Sequence, residues 1–175
     1  MKPIVRISYT PGAYLILIVA GMISPLLSLT SKQPAGYELM YGFVTNNISY
    51  TANILFVVLL TYHVTFLLHL EGLAVPRVNL SDFQLAGLAV LMVDAVLYAI
   101  IQYGLEFALF SATKVMPVVF VVFCTGNFFM LAIIALIMFS SFYHHHVYIA
   151  AVVTIALEIA AHFFIVRPWI EHVVF

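Results

Sequence analysis

The sequence predicts an all-α integral membrane protein: a bundle of five transmembrane helices that forms one unit over residues 1–175, with no soluble domain. Three observations predict it. Of 175 residues, 65% are hydrophobic and 7% charged, against roughly 25% charged in a soluble domain, so the chain cannot coat a water-facing surface. The mean hydropathy is +1.17. The apolar residues also gather into five stretches, each close to the about 20 residues that a helix needs to cross about 30 Å of hydrocarbon.

The stretches run over about 13–29, 49–70, 82–110, 115–142 and 147–166. The first follows the polar opening Lys2 to Pro11. Lys2 and Arg6 before it and Ala20-Gly21 within it also outline a signal peptide, but it is read here as a helix of the bundle. Ser31-Lys32-Gln33-Pro34-Ala35-Gly36 is rich in turn formers and opens the longest connection, up to about Asn47. Gly72, Pro76 and Arg77 end the second helix. Ser81 with Gln84 three residues on fits a capping box, so the third helix should begin there. Ser111-Ala112-Thr113-Lys114 forms the next connection, and Pro117 falls in the first turn of the fourth helix, where a missing amide costs little. Pro168 should kink or end the fifth helix. The third and fourth helices, at nearly thirty residues, should tilt or protrude.

Six Lys+Arg against seven Asp+Glu give a net charge of -1, which offers no basic field for nucleic acid. Cys124, the single cysteine, allows no intrachain disulfide. Five spans put the termini on opposite sides of a membrane, read as the cell membrane. Lys2, Arg6 and Arg77 lie on the N-terminal side, here side A, and Lys32, Lys114 and Arg167 on side B, so the positive-inside rule does not orient the chain.

Polar groups within the spans carry the functional reading, because an ionisable residue in hydrocarbon costs a few kcal/mol and usually faces a bundle interior or an aqueous cavity. With ideal rise, His63, Asp94, Asn127 and Glu158 each fall within about 5 Å of their helix midpoints, which predicts one polar layer. Glu158 and His162 share a helix face, as do Asp94 and Tyr98 with Gln102 beyond them. Such a layer can conduct protons through His63, Asp94 and Glu158, or it can simply fix helix packing, the use favoured for Asn127. Haem b ligation by His63 and His162 is a second chemistry, although ideal depths separate the two by about 10 Å. A transition metal among His63, His162, Asp94 and Glu158 is a third.

On side A, His69 and Glu71 end the second helix and Tyr143-His144-His145-His146 links the fourth to the fifth. His69 with His144, His145 and His146 is a candidate metal set, although adjacent helical residues diverge by about 100°; an interfacial polar hinge is the plainer reading. On side B, Glu38, Glu106, Arg167, Glu171 and His172 collect with Tyr37 and Trp169 as interfacial anchors. Phe128-Phe129 and Phe163-Phe164 are read as lipid-facing or packing groups.

His146-Val147-Tyr148-Ile149-Ala150 and Ala161-His162-Phe163 with Trp169 resemble the C-terminal helices of haem–copper oxidase subunit III over less than a quarter of the chain. In that family the two elements lie on separate helices, whereas here one helix holds both, and the spacings from Glu158 to His162 and Trp169 differ. Five helices with histidines on the second and fifth also look like the cytochrome b subunit of respiratory nitrate reductases, whose ligand spacing differs from His63/His69 and His162/His172.

The expectation is a small integral subunit of a multi-subunit, respiratory oxidoreductase. It would act as scaffold and proton path rather than as an enzyme by itself, in contact with lipid, other membrane subunits and, as a further partner, quinone. A haem b- or metal-binding electron-transfer subunit is the alternative. A stand-alone channel or transporter is third, since neither an inverted repeat nor a pair of broken helices is visible.

Overall fold

A computed structural model describes residues 11–30, 48–74, 79–110 and 117–174. They form α1 (Pro11–Thr30), α2 (Ile48–Ala74), α3 (Leu80–Phe110), α4 (Pro117–His144) and α5 (Val147–Ala161). A π-helical turn (His162–Val166) then joins α5 to α6 (Arg167–Val174), so one long rod makes the fifth member of the bundle. The fold is the predicted all-α helical bundle. Among the described residues, Tyr50–Gly72, Leu80–Leu105, Val121–His144 and Val147–Trp169 are each long and apolar enough to cross a membrane. The chain is a multi-pass integral membrane protein. The expectations placed on Lys2 and Arg6, the connection from Ser31 to Asn47, Pro76 and Arg77, and Ser111 to Lys114 lie outside the described residues.

α2 is the hub, in contact with α1, α3, α4 and α5. Its Phe56, Leu60, Val64 and Leu67 are fully buried, while the outward faces of the other helices carry Val152, Ile149, Phe164 and Phe129 into the surroundings. Large apolar groups on an outer surface are the composition expected where lipid replaces water. Thr61, Thr65 and Thr154 turn their hydroxyls back to carbonyls one turn earlier on their own helices, which satisfies them without water.

α1 is held by close approach. A Cβ on Gly21 would stand 2.7 Å from Ile101 Cγ2 and 3.1 Å from its Cβ, so glycine is what lets α1 reach α3. The Ile101 side chain is branched at Cβ and cannot swing aside.

Three element ends differ from the sequence reading. α3 begins at Leu80, and the Phe83 amide donates to the Asn79 carbonyl at 3.0 Å. Asn79 therefore occupies the cap position, and Ser81 and Asp82 fall in the first turn, where an acidic group complements the helix dipole. α2 runs past Gly72 to Ala74. The fifth helix does not stop near residue 166. Pro168 cannot donate a backbone bond and its ring crowds the carbonyl four residues earlier; the preceding turn widens, with the Arg167 amide donating to the His162 carbonyl five residues back, and the rod continues.

α4 and α5 are joined by His145 and His146 alone. His145 has φ 54°, the left-handed region that a side chain makes costly, and its amide caps Ser141 at 2.7 Å.

Gly21→Val should lower the stability of the detergent-solubilised chain by about 1–3 kcal/mol, as overpacking does, and Ile101→Ala should recover part of it; thermal unfolding of the single and double variants measures both. His145→Gly should keep or raise the melting temperature, whereas His145→Val should lower it by the equivalent of about 1–2 kcal/mol.

Candidate functional site

Apart from Ser141 and Thr154, whose hydroxyls bond carbonyls of their own helices, the buried polar side chains fall into two groups. In the first, His63 Nδ1 lies 2.6 Å from Asp94 Oδ2, with both side chains almost wholly enclosed. The two atoms share a hydrogen bond, and α2 is tied to α3 near the middle of both helices. Asp94, Tyr98 and Gln102 line up along one face of α3, and all three are fully buried, which a four-residue spacing makes continuous. Tyr98 donates its hydroxyl to the Ala52 carbonyl of α2 at 2.7 Å and approaches the Ala20 carbonyl of α1 at 3.5 Å. Phe56 packs on its ring at 4.9 Å.

In the second group, Asn53 of α2 donates through Nδ2 to Glu158 Oε1 of α5 at 2.6 Å and to Asn127 Oδ1 of α4 at 2.8 Å. Asn127 returns a bond to Asn53 Oδ1 at 3.3 Å. Asn53 and Glu158 are buried. Glu158 Oε2 has no hydrogen-bond partner among the described residues. His162, one turn further along at the start of the π turn, is buried with its ring edge-on to Tyr50, centroids 4.7 Å apart.

A cavity of about 340 Å³ opens beside this second group, the lower end of the size range of small-molecule sites. Asn53, Asn127, Glu158 and His162 supply its polar wall, and Phe123, Met130, Ile165 and Trp169 much of its apolar wall. Trp169, read from sequence as an interfacial anchor, thus borders the site. Arg167 turns away and pairs with Glu171 at 3.1 Å on the exposed surface.

The single predicted layer is therefore two levels. Asn127 and Glu158 meet at Asn53, which lies ten residues, or about 15 Å, along α2 from His63. Neighbouring helices are offset along their axes, and a helix midpoint does not mark a common depth. The same offset separates the proposed haem ligands: His162 packs on Tyr50, thirteen residues or about 20 Å along α2 from His63, too far for both imidazoles to bind one iron. For a metal among His63, His162, Asp94 and Glu158, the same distance applies. On side A, the His69 ring bonds through Nδ1 to its own helix at the Thr65 carbonyl, at 2.7 Å. His144, His145 and His146 are exposed in the hinge, and no cluster of three or more His, Cys, Asp or Glu side chains able to hold a metal ion occurs among the described residues.

Asn53 is the residue that sequence reasoning missed. Its signal was an amide in the second turn of an apolar span, where it reads as boundary polarity unless a buried carboxylate on another helix is known to face it.

No protein-family model matches the chain, and neither a curated protein nor a solved structure matches it. Fold and site together define a multi-pass membrane protein with a polar interior: one enclosed His–Asp pair, and one carboxyl–amide cluster beside a cavity.

Removing one partner of the enclosed pair leaves an unmatched polar group, so Asp94→Leu should destabilise the protein by about 3–5 kcal/mol, whereas the doubly apolar His63→Leu/Asp94→Leu should lose much less. Chemical or thermal unfolding in detergent compares the two.

Proposed function

We propose that this chain is a small integral subunit of a larger, respiratory oxidoreductase at the cell membrane, in which it packs against neighbouring subunits and offers proton-exchanging groups inside the bilayer. The observation that supports this reading is the run of enclosed polar groups from His63 and Asp94, through Tyr98 and the adjoining Ala52 carbonyl, to Asn53 and Glu158 beside the cavity. Imidazole and carboxyl groups exchange protons near neutral pH, and within a bilayer they do so only where protein or trapped water supplies the next acceptor. Phe56, Val57 and Leu60 are buried between the two levels on α2, and the Tyr98 hydroxyl of α3 reaches the second level at the Ala52 carbonyl. The described residues are almost entirely helical and build no domain outside the bundle, which suits a component whose chemistry is completed by partners.

Isolation of the intact assembly from gently solubilised membranes tests the reading. Asp94→Asn and Glu158→Gln should each slow proton-coupled turnover by about tenfold or more, the scale of a lost proton-transfer group, while the set of copurifying chains stays the same. Unchanged turnover and pH profile in both variants would remove the relay, and a chain that purifies without partners would remove the subunit assignment.

A further inference from the structure

The cavity at the B end of the bundle contains a feature that helix packing does not use. Of the two carboxyl oxygens of Glu158, Oε1 accepts from Asn53, whereas Oε2 is enclosed and has no hydrogen-bond partner among the described residues. Glu158 is 5% exposed and forms part of the cavity wall. A buried acceptor left unmade costs about 1–3 kcal/mol, and more when it is charged, so a cavity with Glu158 in its wall favours a guest that donates to the carboxyl group. Among the described residues no lysine or arginine lines the cavity, and His162 is the other titratable side chain of its wall. The nearest arginine in sequence, Arg167, is engaged with Glu171 outside. Trp169 and Phe123 add aromatic rings to the wall, and aromatic rings attract cations as well as apolar matter. A second hollow, beside Thr61, Thr65 and Tyr148, lacks this combination, because both threonine hydroxyls are spent on their own helix.

We propose that the cavity among Asn53, Asn127, Glu158 and Trp169 binds an ammonium group carried on an apolar body, with an N–H of the guest donating to the Glu158 carboxyl group, whose Oε2 no described residue satisfies. Asn53 and Asn127 hold the carboxylate in place, and Met130, Ile165 and the aromatic rings enclose the apolar part. The inference rests on the cavity and its free acceptor and stands apart from proton transfer through His63 and Asp94. The ammonium can belong to a free lipophilic amine or to an aminophospholipid headgroup.

The test uses the full chain in nanodiscs of phosphatidylcholine and phosphatidylglycerol, neither of which carries an ammonium N–H. Tritiated 4-phenylbutylammonium is the probe, and 4-phenylbutanol is its neutral counterpart of the same shape. The expected result is one saturable site per chain, with the alcohol bound at least about tenfold more weakly, the scale of one hydrogen bond to a charged group. Glu158→Gln should weaken the probe by a similar factor. Gly126 borders the cavity, and a Cβ placed there meets nothing within 4 Å, so Gly126→Leu fills space without a clash and should also abolish binding even if Glu158→Gln fails to fold. Repetition with phosphatidylethanolamine in the nanodisc assigns the source: competition points to the lipid headgroup, and unchanged affinity to a free amine. Absence of saturable binding, equal binding of the alcohol, or full binding in a correctly folded Gly126→Leu variant would each overturn the proposal.

Discussion

Everything in this bundle depends on the absence of water around its middle. In hydrocarbon a polar side chain must find its partner within the protein, so each buried polar residue becomes a constraint on which helices meet and at what height. α2 bears most of these constraints. His63 ties it to α3, Asn53 ties it to α4 and α5, and the Ala52 carbonyl receives Tyr98. Apolar contacts between the same helices are permissive by comparison, since Leu or Phe against a neighbouring helix is little different from Leu or Phe against lipid.

The two polar groups are built for different purposes. The His63–Asp94 pair is enclosed in the bundle, with complementary atoms at 2.6 Å. It suits registry, and it can pass a proton only through close neighbours. The Asn53–Asn127–Glu158 cluster forms part of the wall of a cavity, and one Glu158 carboxyl oxygen has no hydrogen-bond partner among the described residues. An enclosed pair and a cavity-lining cluster at separate heights divide the interior into a part that holds the bundle and a part that can receive something.

The rod formed by α5 and α6 shapes the cavity. Its π turn places His162 and Ile165 next to the cavity while the helix passes Pro168 unbroken, and π turns of this kind recur at functional positions. At the opposite end, the two-residue link through His145 and His146 brings α5 back antiparallel to α4, with the strained φ of His145 as the local cost. The histidine triplet therefore forms the exposed link between α4 and α5, and His69 is occupied by its own helix.

The sequence by itself determined the membrane class, the set of helices, the common face of Asp94, Tyr98 and Gln102, and the tight link at His144 to His146, because these follow from hydropathy and from the periodicity of a single helix. Most boundaries came within a few residues; the exception was the fifth helix, where a local proline rule gave way to a widened turn. The tertiary structure decided which polar groups meet. The axial offset between helices depends on the packing of side chains far apart in sequence, such as Gly21 against Ile101, and no single helix records it. That offset turned one expected layer into two levels, parted His63 from His162, and brought Asn53 to Glu158. The cavity exists for the same reason, since an empty space between helices is a property of how they fit together.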